Sequence, residues 1–338
     1  MAEDAPAGER RPISRSVLDV DAAAESAKIE EALRSQVLGT LRRKGLVLGL
    51  SGGIDSSVSA ALATRALGKE RVVGLFMPEH DSSDDSMRLG KLLAEQLGIQ
   101  SIVEDIAPVL AAAGCYERQH AAIRSVVPDF EPGWRYKLTL PSILESDRFN
   151  ITYLTVETPS GERRVRLTPS AYLQIVAATN YKQRVRKMTE YYHADRLNFA
   201  VLGTPNRLEF DQGFFVKGGD GLADVKPIAH LYKTQVYALA AHLGVPEEIR
   251  RRPPTTETFS LPQGQDEFYF SLPHDRMDLC LWAHNHRVAP EDVAGALGIT
   301  AEQVGRVYKD IEAKRRATRY LHAGPLLVEP VAEIDKLG

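Results

Sequence analysis

Between residues 45 and 68 the sequence runs GLVLGLSGGIDSSVSAALATRALG, and the glycine pair at its centre carries the first chemical hint. Leu46 to Leu50 is a short apolar run with the length and character of a buried parallel strand. Ser56 to Leu67 is alanine-rich and fits a helix. Gly52 and Gly53 let the intervening backbone take positive φ and let a ligand approach without a Cβ in the way. A strand, a tight glycine turn and a helix N-terminus form an anion site, because several N–H groups there lack helical partners. Asp55 would repel a bare phosphate, so its presence implies a Mg2+ ion between carboxylate and phosphate. A second stretch, residues 201–236, supplies matching groups. Glu209, in GTPNRLE after another strand, is expected at the same sheet edge as Asp55, where two carboxylates could hold Mg2+ against phosphate. The loop VKGGDGLAD adds Lys217, Asp220 and Asp224, with Lys217 suited to neutralising phosphate charge. Lys233 and Thr234, at a predicted helix start, form a second anion-binding arrangement. Taken singly, each has a plainer reading as a turn residue or a solvated lysine; their clustering favours a site.

The elements that must position these groups alternate. Residues 20–43 read as an amphipathic helix, 46–50 as a strand and 56 onward as a helix. A strand at 71–78, a helix at 83–97 and a strand at 101–107 continue the series. Such alternation predicts an α/β fold: a doubly wound parallel sheet with helices on both faces and ligands at the C-terminal strand ends. The pattern breaks at 112–167, where aromatics, prolines and NITYLTVETPSGERRVRLT predict an insertion containing a β-hairpin at 150–167. Helix then returns at 170–194, strand at 197–204, and helices at 232–244 and 275–285. The segment from Val288 to Leu321 reads as helix, Gly turn and helix, better suited to packing within the domain than to binding DNA.

The bulk properties narrow the partners. The chain has 338 residues and a formal net charge of −3, so nothing in its overall charge favours nucleic acid. Its length suits one domain, expected over 17–325, between a flexible N-terminal tail at 1–16 and a C-terminal tail at 326–338. Cys115 and Cys280 are the only cysteines, without metal-binding spacing, which suits a reducing compartment. No apolar run is long enough to span a bilayer and the first residues lack a signal-peptide core, so a cytoplasmic location is expected, with no membrane partner.

The string SGGIDSS is neither a Walker P-loop nor a dinucleotide fingerprint. It resembles the pyrophosphatase loop of the N-type ATP pyrophosphatases, which split ATP into AMP and pyrophosphate. Further pieces make the resemblance specific: MPEHDSSDDS (77–86), NYKQRVR (180–186), GTPNRLE, FFVKGGDGLADVKPIAHLYKTQV, LGVPEEI, PPTTET and GQDE (264–267). Together these are similar to the ammonia-dependent NAD synthetase family over most of residues 25–315. The resemblance implies adenylation of a carboxylate, typically nicotinic acid adenine dinucleotide, followed by attack of ammonia to give the amide. It implies that Gly49, Ser51, Gly52, Gly53, Asp55, Ser56, Thr204, Lys217, Lys233 and Thr234 contact ATP, and that Asp55 and Glu209 ligate Mg2+. By the same resemblance Asn180, Arg184 and Asp224 contact the acid substrate. Asp55, Lys217, Asp220, Asp224 and Lys233 act in catalysis, with Asp220 and Asp224 near the ammonia or nicotinate end. A homodimer is implied. With the adenylating loop beginning at residue 51, no glutaminase domain fits before it, and ammonia is expected from solution or a separate donor.

Departures from the family pattern leave a second reading open. The insertion, together with Tyr181 and Gln183 in the NYKQRVR helix and the looser PPTTETF segment, fits a relative that adenylates another carboxylate or uses another amine. A non-catalytic nucleotide binder would have little use for Asp55, Glu209, Lys217 and Lys233 together. A tRNA-modifying relative should carry a basic domain or reactive cysteines, and neither is evident.

Overall fold

The computed structural model describes residues 13–144, 152–255 and 258–331. Most of the expected N-terminal tail, the last seven residues of the C-terminal tail and the first two of the expected hairpin lie outside them. The chain runs through α1 (Ala22–Arg34), β1 (Leu46–Gly49), α2 (Ile54–Leu67), β2 (Val72–Phe76), α3 (Asp84–Leu97) and β3 (Gln100–Val103). Two short helices, α4 (Ala107–Ala112) and α5 (Cys115–Arg124), lead to strands β4 (Tyr136–Thr139), β5 (Tyr153–Thr158) and β6 (Gly161–Arg166). The 29-residue α6 (Pro169–Leu197) brings the chain back to β7 (Ala200–Val201). Then come α7 (Arg207–Gln212), α8 (Lys233–His242), α9 (Glu247–Arg251), α10 (His274–Asn285), α11 (Pro290–Leu297) and α12 (Ala301–His322).

The main sheet has the order β3-β2-β1-β7, and every pairing is parallel. Strand alternation sends β1 side chains to two different cores. Leu46 and Leu48 pack with α1, α2 and α8, whereas Val47 joins Leu110 of α4 and Val185 of α6 on the opposite face. Both faces are therefore helix-covered, the doubly wound α/β arrangement that the alternation predicts. β7 is much shorter than the expected strand at 197–204: after Val201 the chain keeps only an isolated bridge from Leu202 to Val225 before it turns into the cavity described below.

Local signals fix where the helices begin. Asp21 accepts from the N–H groups of Ala23 and Ala24, both at 3.0 Å, and caps α1. α1 stops at Arg34 and continues as a wider π-helical stretch, Ser35–Thr40, rather than as one helix to residue 43. At α6, Thr168 accepts from Ala171 N and Pro169 occupies the first helical position; Asn198, at φ 55°, ends it. The hairpin expected at 150–167 is β5–β6, and it acquires a third antiparallel partner, β4, in the order β4-β5-β6. This small sheet packs on the first half of α6 through Phe130, Tyr136, Leu138, Leu154 and Ile175. α10, α11 and α12 share a separate core, so the C-terminal helix pair is a packing element of the fold. Among the described residues no helix is long and apolar enough to cross a membrane.

Candidate active site

At the C-terminal edge of the parallel sheet lies a cavity of ≈ 670 Å³. Its walls come from the β1–α2 turn, the β2–α3 connection, the middle of α6, the loop at 203–220, residues 252–255 and 258–268, and the end of α12. A cavity in that place is what a doubly wound sheet provides, since its strand ends splay and its helix N-termini converge there.

The β1–α2 turn is fixed by its own side chains. Gly53 N donates to Ser51 Oγ at 3.3 Å, and the Ser56 and Ser57 hydroxyls donate back to Gly53 O at 3.0 and 2.8 Å. Gly52 has φ +69°, and a Cβ on it would lie 2.4 Å from Ser86 O of α3. Its glycine character thus serves the packing of the turn on α3, and Gly52 does not line the cavity, whereas Ser51, Gly53, Asp55 and Ser56 do. Gly52→Ala should combine left-handed strain with that collision and lower stability by about 1–3 kcal/mol. A thermal melt indistinguishable from the parent would refute this account of the turn.

Asp55, in the first turn of α2, meets groups from two distant segments. Lys233 Nζ, at the start of α8, donates to Asp55 Oδ2, and Asn206 Nδ2 donates to Oδ1 at 3.2 Å. Asn206 N also donates to Glu209 Oε2 at 3.0 Å, and Gln265 Nε2 donates to Glu209 Oε1 at 3.0 Å. The capping box that starts α7 therefore doubles as a bridge between the two carboxylates. Burial and the nearby Asp55 charge push the Glu209 carboxyl up to about 8. Burial pulls the Lys233 ammonium down, but Asp55 and Glu209 outweigh it and leave its pKa raised. Beneath them Asp278 of α10, fully buried, accepts from Lys233 N at 3.1 Å and Thr234 N at 2.7 Å. It anchors the N-terminus of α8 and is itself pushed up to about 6 by burial. Thr234 faces this anchor and is not among the cavity-lining residues.

The opposite wall carries the glycine-rich loop. Lys217 Nζ donates to the carbonyls of Tyr320 at 2.7 Å and Ala323 at 2.8 Å, at the C-terminal end of α12. That is a favoured place for a cation. Arg184 Nε donates to Lys217 O at 3.2 Å, so α6 and this loop are joined. Asn180, Arg184, Lys217, Asp220, Thr204 and Gly49 all line the cavity. Asp224 does not: its carboxylate accepts from Val201 N at 2.7 Å and Tyr191 OH at 3.2 Å, where it clasps the end of β7.

Several charged groups here were not anticipated from the sequence. Lys187 Nζ donates to Glu190 Oε2 at 2.6 Å; both are buried on α6 and both line the cavity. A Cβ on Gly49 would come within 3.2 Å of Glu190 Oε1, so the glycine lets that carboxylate sit against the end of β1. Lys182, one turn earlier, is buried between Glu79 and Asp81. Read along the chain, α6 is simply rich in charge, and only the fold shows which charges face inward.

Among the described residues no cluster of three or more His, Cys, Asp or Glu is arranged to hold a metal ion. Asp55 and Glu209 remain the matched pair: two carboxylates, bridged by the side-chain and backbone N–H groups of Asn206, whose mutual repulsion helps keep a proton on one of them. That donor set suits Mg2+, which usually takes one or two protein carboxylates and completes its shell with phosphate and water.

A sequence model of the NAD synthase family matches residues 25–129 and 147–319. The chain is 64% identical over 318 residues to an NH3-dependent NAD+ synthetase of Mesorhizobium japonicum, covering 94% of this chain and 100% of that protein. It is 62% identical over 331 residues to one of Rhizobium meliloti, covering 98% and 99% respectively. The solved NH3-dependent NAD synthetase of Campylobacter jejuni superposes with a TM-score of 0.60 at 21% identity, over 92% of this chain and 100% of that one, a likeness of fold. The matched stretches bring in the β1–α2 turn, Asn206, Glu209, the glycine-rich loop and Lys233 together, and the chain belongs to the NAD synthase family.

Proposed function

We propose that this chain is an ATP-dependent amide ligase that converts nicotinic acid adenine dinucleotide and ammonia to NAD, releasing AMP and pyrophosphate. The observation that carries the reading is the meeting of Asp55, Lys233 and Glu209 at the N-terminus of α2, inside the cavity at the sheet edge. A free carboxylate is a poor electrophile, so its oxygen must first attack the α-phosphorus of ATP and expel pyrophosphate. Ammonia then adds to the acyl-adenylate carbon, AMP leaves, and a proton is lost. The N–H groups of the Ser51–Ser56 turn and the ammonium groups of Lys233 and Lys217 bind the triphosphate and hold the departing pyrophosphate. Asp55 and Glu209 would hold Mg2+, which when bound withdraws charge from the phosphate oxygens. Asp278 keeps Lys233 at its post from below. Asn180 and Arg184 on α6 orient the acid substrate, and Asp220 faces the end where the amide forms. Gly49 and Thr204 serve as close-packed cavity wall.

The test is a single incubation with MgATP, ammonium chloride and nicotinic acid adenine dinucleotide, following AMP and NAD together. Stoichiometric NAD and AMP are expected. Pyrophosphate exchange with another acid, and none with this one, would establish the second reading instead: a relative acting on a different carboxylate or amine. As part of the same proposal the enzyme works in the cytoplasm as a homodimer and takes ammonia from solution or from a separate donor. The exposed Leu173, Met188 and Tyr192 on α6 support the dimer, and sedimentation at micromolar concentration tests it.

A further inference from the structure

Lys182 lies in the middle of α6 with its side chain 1% exposed, and it touches three walls of the cavity at once. Its Nζ is 3.1 Å from Glu79 Oε1 and 2.5 Å from Asp81 Oδ2, both in the connection between β2 and α3. The same Nζ donates to Thr258 O at 3.2 Å, in the loop that follows α9. Glu79, Ser82 and Ser83 of the first segment line the cavity, as do Thr255, Thr258 and Phe259 of the second and Asn180, Gln183 and Arg184 of α6. The first segment is further tied down: Tyr116 OH donates to Glu79 Oε2 at 3.1 Å, His80 stacks on Tyr116 at 4.4 Å, and Glu79 N donates to Ser82 Oγ at 3.0 Å. It continues directly into α3, whose Ser86 carbonyl packs on Gly52 of the nucleotide-binding turn. The position of the β2–α3 connection and that of the turn are therefore mechanically coupled.

The charge arithmetic gives Lys182 a second task. One ammonium faces two carboxylates, and the Glu79 side chain is fully buried beside a cavity meant for a polyanion. Unneutralised, those carboxylates would swing toward water in the cavity and repel phosphate. Held by Lys182, they are turned away from it.

Resting on the proposed adenylating function, we propose that Lys182 is a positioning residue for ATP: a buried three-way clamp that fixes the β2–α3 connection and the backbone at Thr258 around the nucleotide and keeps Glu79 and Asp81 out of its phosphate field. Lys182 touches no reacting atom in this scheme and acts through the segments it holds.

Because Lys182→Met leaves buried carboxylates unpaired, the informative variant is the double substitution Glu79→Gln with Lys182→Met. It removes the charge of the fully buried Glu79, keeps an acceptor for Tyr116, and leaves unpaired only Asp81, whose side chain is 15% exposed and reaches water. Calorimetric titration with MgATP, steady-state KM values for ATP and for ammonium, and a thermal melt are measured on the full chain. The double variant should melt within a few degrees of wild type, yet bind ATP on the order of 10–100-fold more weakly, the loss that misplacement of binding groups by about 1 Å produces. KM for ammonium should stay unchanged, and Lys182→Arg, which keeps the charge, should recover part of the ATP affinity. A folded double variant with wild-type ATP affinity overturns the proposal, as does a parallel rise in both KM values. Failure of the wild type to form NAD would instead sink the functional reading, since the ATP titration does not depend on which acid is amidated.

Discussion

Asp55→Asn should slow adenylate formation by about a thousandfold, the scale seen when a charge-stabilising group is removed from an enclosed site. The substitution keeps shape and one of the two acceptor positions but removes the charge that meets Lys233 and that, with Glu209, suits a metal ion. The fold should survive it for a specific reason. Asp55 is one of the causes that raise the Glu209 carboxyl to about 8. Once that neighbour is neutral, Glu209 ionises at lower pH and takes over as the counter-charge of Lys233. The buried lysine is never left alone, so the melting temperature should move by only a few degrees. ATP–pyrophosphate exchange in the presence of the acid substrate isolates this half-reaction from amide formation. An exchange rate within about threefold of wild type, under 1 kcal/mol of barrier, would remove Asp55 from the chemistry.

Much of this arrangement could be read from the sequence because it depends on local signals. The apolar run before Ser51, the glycines and the alanine-rich helix after them are contiguous, and a right-handed parallel crossover leaves little freedom in where they go. The same holds for Glu209, whose N-cap partner Asn206 is three residues away. What escaped was whatever depends on distant partners. β4 was not anticipated, because its pairing with β5 is set by burial against α6 rather than by its own four residues. Lys182, Lys187 and Glu190 look like solvated helix charges until the fold brings the β2–α3 connection and the end of β1 beside them; Asp81 is 101 residues from Lys182. Asp224 shows the converse. An acidic residue in a glycine loop, read as a catalytic candidate, is held by the backbone of β7, and nothing in its neighbours along the chain announces that partner. Likewise the Thr234 backbone N–H is taken up by Asp278 of α10, and the Cβ space at Gly52 is decided by α3.

Lys233→Met should be the most destabilising single change at the site, and its cost should grow with pH. The Lys233 side chain is 2% exposed and its ammonium is the cation that meets Asp55 and lies close enough to Glu209 to lower that carboxyl's pKa. Removing it leaves Asp55 in a confined site beside Glu209 without its cation, a defect worth about 3–5 kcal/mol. The sign of the pH effect follows from Glu209, whose folded pKa of about 8 stands above its ordinary 4.5. Between those values the folded chain holds a proton that the unfolded chain has released, so the stability this group contributes is complete below pH 4.5 and is lost as pH rises through about 8. In wild type Lys233 opposes the upward shift. Without it the Glu209 carboxyl moves higher still, and ionising it next to Asp55 becomes more costly. The melting-temperature gap between wild type and Lys233→Met should therefore be smallest near pH 5 and widest near pH 9, and adding Glu209→Gln to the variant should close much of the alkaline part. Turnover should fall by about 10²–10³-fold at every pH, because the phosphate loses its buried cation. A gap that stays constant from pH 5 to 9, or one that Glu209→Gln leaves untouched, would mean that the two carboxylates do not share the lysine's field, and the assignment of both to one ion would fall with it.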